Sequence, residues 1–556
     1  TLTDQELIQK WHNQPAPLLP ILHAFHDRDG FVSESSMRAI SLALKIPLAE
    51  LFGTVSFYHH LSQSPPGQLA PRVCDGPVCR LQGSRRLLAE LSDQNATQMP
   101  CAGRCDDFIP VLKGSEVLIG TTADNLQVWP SPLPPPNPGQ IEECVFSQIR
   151  QPNRSTVLGY RQTGGYDGFI RMLDLMRPAD MIHALEDSQL AGRGGASFPT
   201  GLKWKTVAEE KRGPKTIVCN ADEGEPGCFK DRAIMDYDPH AVIEGMLIAA
   251  YATGAKQGFI YLRYEYPETL NILSQAIEES QVSGFLGDSI LGSDFDFQID
   301  IRRGAGSYIC GEETALLNSL EGKRPFPRNR PPYPVTNGFQ DLPTAVNNVE
   351  TLASVPQILR NGADWYRGLG LNGHAGTKII SLSGDIQRPG NYEIPIGLPL
   401  STLLYDWAGG ATSGREVQAV TMAGVSGGFL AKKDLDVKLD NQSVTEKGSI
   451  LGSGGVIVFD DSRNMVEVAA NAMEFFAEES CGKCFPCRIG TQRLTERLTM
   501  NPPISSKEVW LTEVKEIGQT MKATSACGLG SVAPLITDSL INYFPDQIET
   551  YLDRQE

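Results

Sequence analysis

The chain has 556 residues, of which 41% are hydrophobic and 21% charged, and its formal net charge is −17 at pH 7. That length predicts three to five domains at roughly 100–200 residues each, and the acidic balance excludes nucleic acid and anionic membrane as main partners. No apolar run approaches the ~18 residues of a membrane span, so no direct membrane insertion is expected.

The first residues, Thr1-Leu-Thr-Asp-Gln-Glu, are polar and lack a secretory pattern, so the expected location is cytoplasmic. Twelve cysteines at clustered spacings point to metal in a reducing compartment rather than to a disulfide scaffold. Residues 1–66 read as a helical bundle: Leu7-Ile8, Trp11, Leu18-Leu19, Leu22 and Phe25 recur at near-helical intervals, and Ser33 is placed to cap a further helix. Within it His23, His59 and His60 read as packing or surface groups.

Residues 67–130 change character. Cys74-x4-Cys79 and Cys101-x3-Cys105 are separated by the 21 residues 80–100. Zinc prefers C-x2-C knuckles, whereas two pairs on loops after short apolar segments suit a 2Fe–2S cluster held by four thiolates. Pro100 and Gly103 keep the second loop from becoming helix. Ser131-Pro-Leu-Pro-Pro-Pro-Asn-Pro is a stiff linker, and with a short adaptor it fills residues 131–166.

Residues 167–375 hold a glycine-rich stretch, Ala191-Gly-Arg-Gly-Gly-Ala-Ser-Phe-Pro-Thr-Gly-Leu-Lys-Trp204. Its glycines let peptide N–H groups close on a phosphate or a flat ring, and Arg193 and Lys203 add positive charge. No strand obviously precedes it and the third glycine of the dinucleotide fingerprint is missing, so a phosphate-bearing cofactor is expected on something other than an ordinary Rossmann turn. Thr216-Ile-Val-Cys-Asn220-Ala-Asp222-Glu223-Gly-Glu225 reads as a buried strand breaking into an acidic loop, placed to meet heterocycle edges and ribose hydroxyls. A second glycine-rich turn, Gly304-Ala-Gly-Ser-Tyr-Ile-Cys310-Gly311-Glu312-Glu313, leads into a helix whose first turn holds two carboxylates; compensation of the helix dipole is the plainer account of that pair. Arg328-Asn-Arg330-Pro-Pro-Tyr333 and Thr344-Ala-Val-Asn347-Asn348-Val-Glu-Thr351 read as polar loops against an apolar helix.

Residues 376–461 show short strands punctuated by Gly and Pro around a helix at Leu400–Gly410, which predicts a small α+β module. It has no cysteine and no convergent ionisable set, so it reads as a spacer or docking domain. From 462 to 556 the pattern is helical. Cys481-x2-Cys484-x2-Cys487, followed after the 39 residues 488–526 by Cys527, is the spacing of a 4Fe–4S cubane. Cys144, Cys219, Cys228 and Cys310 remain as ordinary thiols.

Two iron–sulfur sites therefore flank a glycine-rich pocket. Clusters carry single electrons and nicotinamide delivers a hydride; a flavin exchanges both, so FMN and NAD(H) in one pocket are the expected chemistry. A zinc-stabilised interaction protein and an electron-transfer scaffold with a vestigial pocket are the non-enzymatic alternatives.

The motifs Gly192–Trp204, Asn220-Ala-Asp-Glu-Gly-Glu-Pro-Gly, Gly304-Ala-Gly-Ser-Tyr-Ile-Cys-Gly-Glu-Glu-Thr, Asn347-Asn-Val-Glu-Thr and Glu479-Ser-Cys-Gly-Lys-Cys-Phe-Pro-Cys resemble the flavin- and NADH-binding subunit of the respiratory complex I family. Residues 1–130 resemble that complex's thioredoxin-like 2Fe–2S subunit, fused in front. The arrangement is similar to the diaphorase subunits of soluble NAD-dependent formate dehydrogenases and NAD-reducing nickel–iron hydrogenases, and the NADH-input subunit of a respiratory NADH:quinone oxidoreductase is a further alternative. The complete four-cysteine N-terminal set and Ala423-Gly-Val-Ser-Gly-Gly-Phe-Leu make the beta subunit of molybdenum or tungsten formate dehydrogenase the nearest likeness.

The resemblance implies an α/β multidomain fold. An N-terminal helical segment and a thioredoxin-like ferredoxin domain lead into a Rossmann-like FMN/NADH domain, a small ubiquitin-like α+β domain and a helical bundle with the 4Fe–4S cluster. It implies that Gly192, Arg193, Gly194, Lys203, Asn220, Asp222, Glu223, Gly311, Glu312, Asn347, Asn348 and Thr351 hold FMN. Phe198, Glu225, Glu313, Arg330 and Tyr333 would hold NADH, with Phe198 and Tyr333 on the adenine and Glu225 near the nicotinamide and its carboxamide. The implied partners are a catalytic alpha subunit with further iron–sulfur clusters and a small 2Fe–2S gamma subunit. Ser197, where the family usually has glycine, Cys228, where a small hydroxyl residue is commoner, and Thr206, where an aromatic is frequent, depart from the pattern. So does the short gap between the N-terminal cysteine pairs.

Overall fold

The computed structural model describes residues 2–130, 133–412, 414–499 and 506–553. It opens with four helices, Asp4–His12, Leu18–Asp29, Glu34–Leu44 and Leu48–Val55. Ser33 caps the third, its Oγ accepting the Ser36 N–H. A five-stranded sheet follows, built from β1 Arg72–Cys74, β2 Thr97–Met99, β3 Ile109–Lys113, β4 Glu116–Gly120 and β5 Gln127–Val128 in the order β2-β1-β3-β4-β5. β1 and β2 run parallel and the other pairs antiparallel. Cys74 ends β1, and Cys101 lies two residues past the end of β2.

The centre of the molecule is a four-stranded parallel sheet of β6 Thr216–Ala221, β7 Gln257–Leu262, β8 Gln298–Arg303 and β9 Thr344–Asn348, in the order β8-β7-β6-β9. Its inner strands are apolar runs because both faces are covered. One face packs on helices including Thr200–Glu209, Pro239–Thr253 and Val349–Asn361. The other is covered by the N-terminal helices, whose Leu22, Phe25, Leu51 and Val55 share a core with Val218, Phe259, Tyr261 and Leu317. The predicted 1–66 bundle thus forms one layer of the central domain.

Thr344–Asn348, expected as a polar loop, is the edge strand β9, paired in parallel with β6. Five mixed residues carry too little periodicity to announce a strand; burial against β6 decides it. From Cys144 onward the predicted adaptor belongs to the central core through Phe146, Tyr160 and Tyr166. Ser131 and Pro132, where the proline-rich linker was expected to begin, lie outside the described residues.

The small module is a second five-stranded sheet of β10 Thr377–Gly384, β11 Gly390–Pro395, β12 Val417–Met422, β13 Phe429–Ala431 and β14 Gly455–Asp460, ordered β11-β10-β14-β12-β13. The helix expected at Leu400–Gly410 is a π-helix over Thr402–Trp407. Helices Met465–Glu479, Phe485–Thr499, Lys507–Thr524, Gly528–Val532, Pro534–Tyr543 and Pro545–Asp553 complete the chain. Positions 500–505 and 554–556 of this predicted helical region lie outside the described residues. No helix among the described residues is long and apolar enough to cross a membrane.

Candidate functional site

Strand order reverses between β6 and β9, and in an open parallel sheet the crevice beyond the carboxyl ends of such a pair is the natural ligand site. Asn220, near the end of β6, pairs in register with Asn348 at the end of β9. A cleft of about 340 Å³ opens there, and Gly194, Asn220, Asp222, Glu225, Gly311 and Glu312 are among its walls.

Several of these side chains are preorganised by their own chain. Asn220 donates through Nδ2 to Gly311 O at 2.8 Å and accepts the Asp222 N–H at 3.2 Å. Asn348 caps helix Val349–Asn361, accepting the Glu350 N–H at 2.9 Å, and donates to Asp231 at 2.7 Å. Glu312 caps helix Glu313–Leu320 through Oε2, which accepts the N–H groups of Thr314 and Ala315, so the expected compensation of the helix dipole is present. Glu223 lines the cleft, yet its carboxylate turns away to accept the N–H groups of Asp231 and Arg232 and the Tyr266 hydroxyl. Burial pushes its carboxyl up to about 7.

Asp222 differs. Its Oδ2 is buried and has no hydrogen-bond partner, and burial holds its carboxyl well above the usual range. An orphaned acceptor costs free energy unless something fills it. A Cβ on Gly194 would come within 3.1 Å of Asn348 Cβ, and one on Gly311 within 3.3 Å of Asp222 O, so the glycines leave bare backbone along the walls. A flat heterocycle with polar edges fits this donor set.

Other expected ligands lie elsewhere. Arg193 is buried and its guanidinium is occupied by Thr377 O, Ala191 O and the Tyr366 hydroxyl, while its N–H donates to Thr351 Oγ1. Asn347 is buried and accepts the Trp204 indole N–H at 2.9 Å. Arg193, Asn347 and Thr351 therefore brace the glycine-rich loop rather than face the cleft, as does Gly192, whose N–H bonds to Phe198 O. Lys203 donates to Val346 O at 2.8 Å and lies 3.5 Å from Glu313, which also meets Arg330 at 3.3 Å. Phe198 and Tyr333 are 48% and 53% exposed. Ser197 sits at φ +52, where glycine is the easier residue, and its Oγ accepts a hydrogen bond from Asn441 at 3.0 Å.

The small α+β domain, expected as a spacer or docking domain, supplies part of the cleft through Ala423, Ser426, Ile450, Gly452 and Ser453. It also grips Glu225, whose carboxylate accepts the N–H groups of Val425 and Ser426, the Ser426 hydroxyl at 2.8 Å and the Tyr308 hydroxyl. Burial nevertheless pushes the Glu225 carboxyl up to about 7. The sequence reading did not single out Ser426 or Tyr308; the glycines beside them were the available signal. Gly424 has φ +68, and a Cβ there would stand 2.3 Å from Pro226 O. Cys228, read as an ordinary thiol, lines the same cleft, 3.0 Å from Ser453 Oγ.

The members of each cysteine set lie near one another. Cys74, Cys79, Cys101 and Cys105 are all buried; Cys101 and Cys105 sulfurs are 3.4 Å apart, and the Ala102 and Gly227 N–H groups point at Cys74 and Cys105 sulfur, each at 3.3 Å. Gly76 lets the two loops close, since a Cβ there would meet Cys101 Cβ at 2.9 Å. Gly227 follows the acidic loop of the cleft, so this site abuts it. Cys481, Cys484, Cys487 and Cys527 line one recess, and burial pushes the thiols of Cys487 and Cys527 up to about 12 and 11. Deprotonation of such thiols is coupled to metal binding. Ile309, Cys527 and Leu529 line both this recess and the cleft, so a single layer of side chains separates the two. His23, His59 and His60 are packing groups: His59 meets Glu479 at 2.9 Å, and buried His60 bridges Arg72 and Glu265.

Residues 185–357 match the Nuo51 FMN-binding domain family, residues 467–551 the NADH-ubiquinone oxidoreductase-F iron-sulfur binding region, and residues 4–112 the thioredoxin-like [2Fe-2S] ferredoxin family. The chain is 44% identical over 389 residues to the NADP-reducing hydrogenase subunit HndC of Solidesulfovibrio fructosivorans, covering 70% of this chain and 79% of that protein. It is 32% identical to the NAD-reducing hydrogenase HoxS subunit alpha of Cupriavidus necator over 99% of this chain and 94% of that one. The crystal structure of an NAD+-reducing [NiFe]-hydrogenase in the air-oxidized state superposes with a TM-score of 0.82 at 31% identity, covering 97% of this chain and 94% of that chain.

Proposed function

Because the chain belongs to the family of NADH-binding FMN diaphorase subunits of complex I-like enzymes, we propose that the β6–β9 cleft is where it exchanges hydride between NAD(H) and FMN, with single electrons passing to its clusters. Bound flavin supplies the conversion between two-electron and one-electron transfer. The chain's residues would supply position: Gly194, Asn220, Asp222, Gly311, Glu312 and Asn348 line the cleft and would hold the flavin. Glu223 shapes the wall through its backbone, while Gly192, Arg193, Asn347 and Thr351 hold the glycine-rich loop and Lys203 draws the phosphate. Phe198 and Tyr333 would stack on the adenine, Glu313 and Arg330 would help to hold the dinucleotide, and Glu225 would lie near the nicotinamide. Alignment of two rings carries the rate, and no side chain is needed as acid or base.

The observation that carries this reading is the wall shared by the cleft and the recess of Cys481, Cys484, Cys487 and Cys527. Cys74, Cys79, Cys101 and Cys105 would hold the 2Fe–2S cluster on the other side. NADH-driven reduction of a dye by the FMN- and cluster-loaded protein tests it; no turnover would overturn it.

For the partner, the first reading is the alpha subunit of a molybdenum or tungsten formate dehydrogenase, with a small 2Fe–2S gamma subunit, supported by the intact N-terminal cysteine set and the Ala423–Leu430 stretch. A nickel–iron hydrogenase is the second, favoured by the relative that spans 99% of the chain. Elemental analysis of the complex purified through this chain decides between them: molybdenum or tungsten supports the first, nickel the second.

A further inference from the structure

The nicotinamide end of the cleft contains a conflict of hydrogen-bonding capacity. Glu225 Oε1 accepts the N–H groups of Val425 at 2.9 Å and Ser426 at 3.1 Å, and Oε2 accepts the hydroxyls of Ser426 at 2.8 Å and Tyr308. A carboxylate offers about four lone-pair sites. All are used, so the carboxylate has none left for the amide N–H of a carboxamide. The two hydroxyls are in the opposite state. Each has one proton, and each spends it on Glu225. Their oxygens lie 3.2 Å apart with no proton left to share, and both keep lone pairs. A hydroxyl that donates to a carboxylate is also the stronger acceptor for it. Tyr308, Ser426 and Glu225 all line the cleft.

We propose that the carboxamide N–H of the nicotinamide is received by the hydroxyl oxygens of Ser426 and Tyr308, with Glu225 acting as the positioning residue that fixes them as acceptors. The inference rests on the placement of the nicotinamide at this end of the cleft. It makes Ser426, from the small α+β domain, a substrate-contacting residue, so that domain takes part in selecting the dinucleotide.

The test is calorimetric titration of the FMN- and cluster-loaded protein with NAD+ and with 3-acetylpyridine adenine dinucleotide, whose acetyl group has no N–H to donate. Ser426→Ala should weaken NAD+ binding about fivefold to tenfold and binding of the analogue less than about twofold. Ser426→Thr, which keeps the hydroxyl, should restore NAD+. Equal weakening of both ligands, or of neither, overturns the proposal. If Ser426→Ala does not retain its flavin, Tyr308→Phe provides the same comparison. Glu225→Gln separates the two levels of argument. Unchanged NAD+ binding in that variant refutes the placement of the nicotinamide. Weakened binding there, with no discrimination by Ser426→Ala, refutes the acceptor role alone.

Discussion

At the scale of single residues, two carboxyl groups in one cleft play different parts because their partners differ. Asp222 has an acceptor with nothing bonded to it, whereas Glu225 is saturated. Asp222→Ala should therefore weaken FMN binding by about twofold to tenfold, the range for an ordinary hydrogen bond, as read by flavin fluorescence during apoprotein titration; unchanged affinity would place the flavin elsewhere. Glu225 also predicts a pH dependence. Burial raises its carboxyl to about 7, so it is ionised above that pH and protonated below it. The protonated form must donate a proton itself, which disturbs the two hydroxyls it otherwise holds. The KM for NADH should rise as pH falls from 8 to 6, and Glu225→Gln should remove that inflection while both clusters and FMN stay bound.

At the scale of elements, the decisive piece is the turn at Ala423–Gly428, which carries the small domain's amides onto the acidic loop that follows β6. Gly424 takes φ +68, and a Cβ would stand 2.3 Å from Pro226 O and 2.5 Å from Glu225 Cγ. Gly424→Ala should cost about 1–3 kcal/mol of backbone strain and displace Glu225. The checks are a lowered Tm and a raised KM for NADH; a variant with parental values for both would mean that the turn relaxes freely. Ser197 tolerates a left-handed backbone in the glycine-rich loop with a hydrogen bond from Asn441 of the same small domain. The two domains thus meet at these two loops as well as through contacts such as Arg193 to Thr377 O and Phe229 N–H to Ser381 Oγ.

At the scale of the whole molecule, the layers bring both cluster sites to the flavin cleft. The cubane recess shares Ile309, Cys527 and Leu529 with it, and the N-terminal site reaches it through Gly227. The recess and the N-terminal cysteines stand on different elements, so the clusters should be separable. Cys487→Ser should abolish the 4Fe–4S signal in electron paramagnetic resonance and leave the 2Fe–2S signal and bound FMN. Loss of both signals would mean that the domains assemble as one unit around the metal.

Much of this was legible in the sequence, for local reasons. Ligand spacing on short loops is a property of the chain itself, so Cys481, Cys484 and Cys487 announced a cubane without a fold, and the apolar run before Asn220 announced a buried strand. Tertiary structure decided what depends on residues far apart in the chain. β9 is a strand because β6 lies beside it. Arg193 faces inward because Tyr366 and Thr377 of the small domain receive its guanidinium, and Asn347 and Thr351 do so because they accept from Trp204 and from the Arg193 backbone. Ser426 reaches Glu225 across some two hundred positions. Local pattern fixes which atoms are available; only packing fixes which of them are already satisfied, and at this cleft the unsatisfied ones are those left to bind.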